Sequence, residues 1–82
     1  MEIFSTASFD KDFRKATKEE VKRINAIVEG LKASNFIGKP LRHAKNTYSV
    51  RIGNKRFVYN IDGSRILLMF FKSREGVYDY LG

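Results

Sequence analysis

The chain has 82 residues, a formal net charge of +7, 43% hydrophobic and 13% aromatic residues, one histidine and no cysteine. That is enough chain for one domain, 1–82, and too apolar for a disordered segment. Disulfides, thiolate catalysis and thiolate metal sites are excluded, and a single histidine, His43, cannot build a histidine metal centre alone. No metal and no small-molecule cofactor is expected.

Residues 2–6 form a short β-favouring stretch, an early or edge strand. Ser8 is the expected N-cap of a brief helix, with Asp10 and Asp12 where the helix dipole favours acids and Phe9, Phe13 and Ala16 at near-helical spacing. Thr17 to Glu20 has the capping-box form, and Ala16 and Val21 occupy the staple positions. Val21, Ile24, Ile27, Val28 and Leu31 then mark one apolar helix face. Gly38 and Pro40 break the pattern.

The remainder reads as strands. Tyr48, Val50 and Ile52 alternate with Ser49, Arg51 and Gly53, and Gly53-Asn54 signals a turn. Phe57, Tyr59 and Ile61 alternate with Arg56, Val58 and Asn60. Asp62-Gly63 is read as the next hairpin turn. Residues 65–72 follow as a nearly continuous apolar strand, and 75–81 as a short helix or tail. The expected fold is α+β: strand, helix, helix, then a three-strand antiparallel meander, with the helices on one sheet face. Strand parity then sends Ser49, Arg51, Arg56, Val58 and Asn60 to the helix-free face.

The charge is localised. Residues 30–61 contain no Asp or Glu and carry Lys32, Lys39, Arg42, Lys45, Arg51, Lys55 and Arg56, while charges on either side cancel. A surface without carboxylates suits a polyanion, and nucleic acid is the commonest such partner. Residues 1–9 lack the basic start and apolar run of a signal peptide, and 66–71 is too short to span a bilayer. No membrane association and a cytoplasmic location are expected.

The run Tyr48-Ser49-Val50-Arg51-Ile52-Gly53-Asn54-Lys55-Arg56-Phe57-Val58-Tyr59-Asn60-Ile61-Asp62 resembles the recurring pattern of the RelE/ParE toxin superfamily. That pattern is an aromatic, alternating basic residues, a glycine turn, an arginine and an apolar strand with a tyrosine. Gly38-Lys39-Pro40-Leu41 resembles the loop before that hairpin, and Lys72-Ser73-Arg74-Glu75-Gly76-Val77-Tyr78 the basic-then-tyrosine ending. The resemblance covers nearly the whole chain. It implies the toxin of a type II toxin–antitoxin pair. RelE-like members cleave mRNA in the ribosomal A site. ParE-like members poison DNA gyrase and are not nucleases.

The charge map favours the first, a metal-independent, ribosome-dependent endoribonuclease that inhibits translation. Carried over by position, Arg51, Arg56, Lys72, Arg74 and Tyr78 are the expected catalytic residues. Lys39, Arg42, Lys45, Ser49 and Lys55 are the expected nucleic-acid contacts. Arginine fits a phosphate clamp, being permanently charged and bidentate. It is a poor proton carrier, because its pKa lies above 12. Ser49 stands where RelE-like enzymes often have a lysine, and the histidine that several relatives place near the C-terminal tyrosine is absent. An inactive relative that keeps only antitoxin binding is therefore an alternative beside the gyrase poison.

Each basic residue also has an ordinary reading, as a solvated strand or loop charge. His43 reads first as a loop histidine. The expected partners are a cognate antitoxin, short and partly disordered with acidic and apolar segments, together with the ribosome and mRNA.

Overall fold

Local signals start both helices. In the computed structural model, which describes residues 1–73, β1 (Glu2–Ser5) leads into α1 (Ala7–Arg14). Its N-cap is Thr6, not Ser8: the Thr6 hydroxyl accepts from the Phe9 amide at 3.0 Å. Ser8 instead falls inside the first turn. Helix α2 (Lys18–Lys32) starts as expected. The Thr17 hydroxyl accepts from the Glu20 amide at 3.2 Å, and the Glu20 carboxylate accepts from the Thr17 amide at 2.9 Å.

The strands that follow are β2 (Lys39–Pro40), β3 (Thr47–Ile52), β4 (Lys55–Asp62) and β5 (Arg65–Ser73), in a five-stranded sheet of order β1-β5-β4-β3-β2. Only the β1–β5 pair is parallel. The two-residue β2 adds a strand to the expected topology. It lies on the outer edge, where Lys39 pairs with Ser49 and Pro40 with Tyr48. Proline is admissible there because an edge strand has one side without ladder bonds. The β4–β5 turn is Gly63-Ser64, one residue later than expected, because Asp62 pairs with Arg65. Gly53 and Gly63 each take positive φ at the first loop position, with no positive φ at the second, as a type II′ hairpin requires.

The main core lies between the helices and one sheet face. Phe9, Ile24, Ile27 and Leu31 pack with Val50, Ile52, Phe57, Tyr59, Ile66, Leu68 and Phe71. The face opposite the helices has its own apolar pair, Val58 and Phe70, both fully buried, with Leu41 and Met69 against them. Simple alternation from Ile66 and Leu68 would put residue 70 under the helices. A bulge prevents it: Val58 pairs with Phe70 and Tyr59 with Leu68, leaving Met69 as the extra residue. Beyond Met69 every β5 side chain changes face, so Phe71 points to the helices and Lys72 away from them.

Gly38 is fixed by space as well as by φ. Its φ is +103°, and a Cβ would meet the Ser49 carbonyl oxygen at 2.6 Å and Val50 Cγ2 at 2.9 Å. Just before it, the carbonyl of Ile37 accepts from the buried Tyr59 hydroxyl at 2.5 Å. Burial raises that phenol to about 12. The expected C-terminal helix or tail, 75–81, lies outside the described residues. Among the described residues, no helix is long and apolar enough to cross a membrane.

Two stability measurements check this account. Gly38→Ala should lower unfolding free energy by at least about 1–3 kcal/mol from backbone strain alone, read by denaturant melts. The second concerns Glu20, whose carboxyl is held below its ordinary value of 4.5 first by the Thr17 amide and then by Lys55. A lowered folded pKa stabilises above the unfolded value, and the gain is lost as pH falls through the folded one. Glu20→Gln should therefore be less stable than wild type at pH 7, with the difference shrinking as pH drops below about 4.

Candidate nucleic-acid interface

The site begins with strand register. Arg51 pairs directly with Arg56, and Arg56 with Lys72, so three basic residues form one row across β3, β4 and β5. Residues opposite each other share a face, with Cβ atoms about 5 Å apart. The Met69 bulge is what brings Lys72 into this row. The neighbouring row is Lys39, Ser49, Val58 and Phe70. Lys39 therefore joins the same face from the sheet edge.

A groove of about 910 Å³ opens on this face, between the hairpin β3–β4 and the segment that follows β2. Its polar lining is Lys39, Arg42, His43, Ser49, Arg51 and Arg56. Five residues expected to bind or act on a nucleic acid thus come together with His43. The segment carrying Arg42 and His43 is pinned at its base. Leu41 donates its amide to the Thr47 carbonyl at 2.9 Å, and the Ile61 amide donates to the Asn46 carbonyl at 2.9 Å. Asn60 Nδ2 donates to the Lys45 carbonyl at 3.1 Å and to Thr47 Oγ1 at 3.0 Å. Asn46 takes φ 55°, a conformation asparagine tolerates better than most residues.

The charges in the groove are not neutralised from within. Among the described residues the ion pairs are Lys32–Glu29, Lys55–Glu20 and Lys72–Asp12. None involves Lys39, Arg42, Arg51 or Arg56. Arg51 Nε donates to the Gly53 carbonyl at 3.1 Å, which fixes one edge of its guanidinium beside the turn. Two arginines placed directly opposite each other repel, so this pairing works against the hairpin it sits on. Such a cost is retained where the charges serve a ligand.

Not every expected residue joins the groove. Lys55 lies on the helix side, paired with Glu20 at 3.2 Å and 5.1 Å above the Phe71 ring. Its partner across the turn, Ile52, is buried in the main core, which is why Lys55 cannot share the face of Arg56. The Lys72 ammonium, although in register with Arg56, reaches Asp12 Oδ1 on α1 at 3.0 Å. Lys45 is exposed on the pinned loop but does not line the groove. Arg74 and Tyr78 lie outside the described residues. His43 was not singled out for a role by sequence pattern. Its signal was weak, since only its place within the acid-free window marked it. Among the described residues no group of three or more His, Asp or Glu could hold a metal ion.

The fold is that of a class of small toxins. No family model matches the chain. Toxin RelE3 of Methanocaldococcus jannaschii is 28% identical over 86 residues, covering 98% of each chain. The toxin in a RelB-RelE antitoxin–toxin complex from Methanococcus jannaschii superposes with a TM-score of 0.80 at 26% identity, over 96% of this chain and 99% of that one. A YoeB/ParE toxin from Agrobacterium tumefaciens gives 0.78 at 25% identity, over 90% and 99%. Over nearly its whole length the chain is thus similar to toxins of the RelE superfamily, of the RelBE type.

If the opposed arginines cost stability, removing one should return it. Arg56→Thr should stabilise the fold by about 0.2–1 kcal/mol at low salt, and the gain should shrink at high salt as screening weakens the repulsion. Denaturant melts at two ionic strengths read both.

Proposed function

We propose that this toxin is a ribosome-dependent mRNA endonuclease, held in check by a cognate antitoxin. The observation that carries the reading is the directly opposed pair Arg51 and Arg56. They are unpaired by any carboxylate among the described residues and stand at the wall of a groove that also holds Lys39 and Arg42. The related RelE and YoeB toxins that were solved with RelB and YefM antitoxins support an antitoxin partner.

RNA cleavage without a metal uses the substrate's own 2′-hydroxyl as nucleophile. Charge builds on the phosphate as the new bond forms. Two neighbouring guanidinium groups can bind its oxygens together and hold that charge. Lys39 and Arg42 would follow the backbone on either side, and Ser49 offers a hydroxyl between them. Lys72, tied to Asp12, adds positive potential behind Arg56 rather than a free amine. From the resemblance, Arg74 would supply a further basic group, and Tyr78 would stack on a base or assist proton transfer. The ribosome would present the message, so the toxin need not bind RNA tightly by itself.

The test is primer extension on a translated message in a reconstituted system. Wild-type protein should cleave in a ribosome-dependent manner. Arg56→Ala should cut the rate by about 10²–10³, the usual cost of removing one transition-state donor. Undiminished cleavage by Arg56→Ala would refute the reading. Absence of RNA cleavage with linear DNA trapped on gyrase would replace it by the gyrase poison.

A further inference from the structure

The nuclease needs a group that takes the proton from the 2′-hydroxyl, and the arginines cannot be that group. Arginine stays charged throughout the accessible pH range, and lysine exchanges protons only well above neutrality unless strongly perturbed. Lys72 is further committed to its carboxylate partner at 3.0 Å. Among the described residues, no carboxylate lines the groove. Histidine is the side chain that exchanges a proton between pH 5 and 8, and the chain's single histidine is in the groove wall.

We infer that His43 is the general base of the cleavage step, an inference that rests on the nuclease reading above. Its imidazole is exposed, and among the described residues neither ring nitrogen has a hydrogen-bond or ion-pair partner. It sits in a loop whose base is tied to β3 and β4 through the Leu41, Lys45 and Asn46 backbone groups. That anchoring keeps His43 in the wall of the groove that Arg51 and Arg56 also line. Among the described residues, the charged groups that share the groove wall with it are Lys39 on β2, Arg42 beside it on the loop, Arg51 on β3 and Arg56 on β4, all cationic.

A phosphate held by the two arginines would place the adjoining ribose on the His43 side of the groove. The imidazole then removes the 2′-hydroxyl proton as the O2′–P bond forms. The P–O5′ bond breaks with its electron pair leaving on O5′, which takes a proton from water. The products are a 2′,3′-cyclic phosphate and a 5′-hydroxyl, with no oxidant or metal required.

The experiment is single-turnover cleavage of a ribosome-bound message between about pH 5.5 and 8.5, with wild type, His43→Gln, His43→Ala and Arg56→Ala, beside thermal melts of each. Wild type should show a rate that rises with pH with unit slope at the acid end. His43→Gln should melt as wild type does, lose about 10²–10⁴ in rate and lose the acid limb. Added imidazole should restore part of the activity of His43→Ala. Arg56→Ala should be slower but keep the limb. A His43→Gln protein that retains the wild-type rate, or that slows with its acid limb unchanged, overturns the role of His43 and leaves the nuclease standing. A wild-type protein that does not cleave overturns both.

Discussion

The bulge at Met69 is the constraint on which the basic face depends. It shifts β5 by one residue against β4, so that Phe70 packs with Val58 on the helix-free side and Lys72 falls beside Arg56. The shift leaves the outer edge of β5 needing partners after β1 ends at Ser5. The start of α1 provides them. The Thr6 amide donates to the Leu68 carbonyl at 3.0 Å, and the Thr6 hydroxyl donates to the carbonyl of Met69. Further along, Asp12 Oδ2 accepts from the Phe71 amide at 3.0 Å. One threonine hydroxyl thus accepts a helix-capping bond and donates to the bulge. Buried backbone groups must find partners, so the register shift and the helix start are one device.

The same logic sorts the charges. Acids from the helices reach cations near the end of the sheet: Glu20 takes Lys55 and Asp12 takes Lys72. Both acids are also bound by backbone amides, Thr17 and Phe71 respectively, so neither is free to swing toward the groove. The helices therefore neutralise what lies near them and, among the described residues, leave Arg51, Arg56, Lys39 and Arg42 without carboxylate partners. Repulsion within that set is tolerable because it lies on a solvent-facing surface, where the dielectric is high. It becomes useful when a polyanion replaces water and relieves it.

Much of this was legible in the sequence because it is local or periodic. The capping box at Thr17, the apolar face of α2, the β3–β4 alternation and the acid-free window each need only a few neighbouring residues to be read. The same alternation correctly sent Arg51 and Arg56 to the helix-free face. What was not legible depends on distant partners. Thr6 outcompetes Ser8 as the cap because its hydroxyl also meets β5, 63 residues away. The edge strand β2 exists because Gly38 lets the backbone lie against Ser49 and Val50, a contact that propensity at Lys39 and Pro40 would not suggest. The Met69 bulge has no sequence mark in a run of uniformly apolar residues. The turn at Gly63-Ser64 rather than Asp62-Gly63 follows from which pairing places Ile61 and Ile66 opposite each other in the core.

The ion pair of Lys72 also bears on how chemistry is divided across the face. Its ammonium is bonded to the Asp12 carboxylate at 3.0 Å. Lys72 is therefore held by Asp12 and is poorly placed to act as a base. Arg51 and Arg56 cannot exchange protons near neutrality in any setting. On the proposed nuclease reading, phosphate binding would be concentrated on the strands, whose spacing is fixed by the β ladder. Proton exchange would then be left to groups carried on connecting segments, where reach can change without disturbing the sheet. The groove between the pinned loop and the β3–β4 hairpin is where these two kinds of group meet.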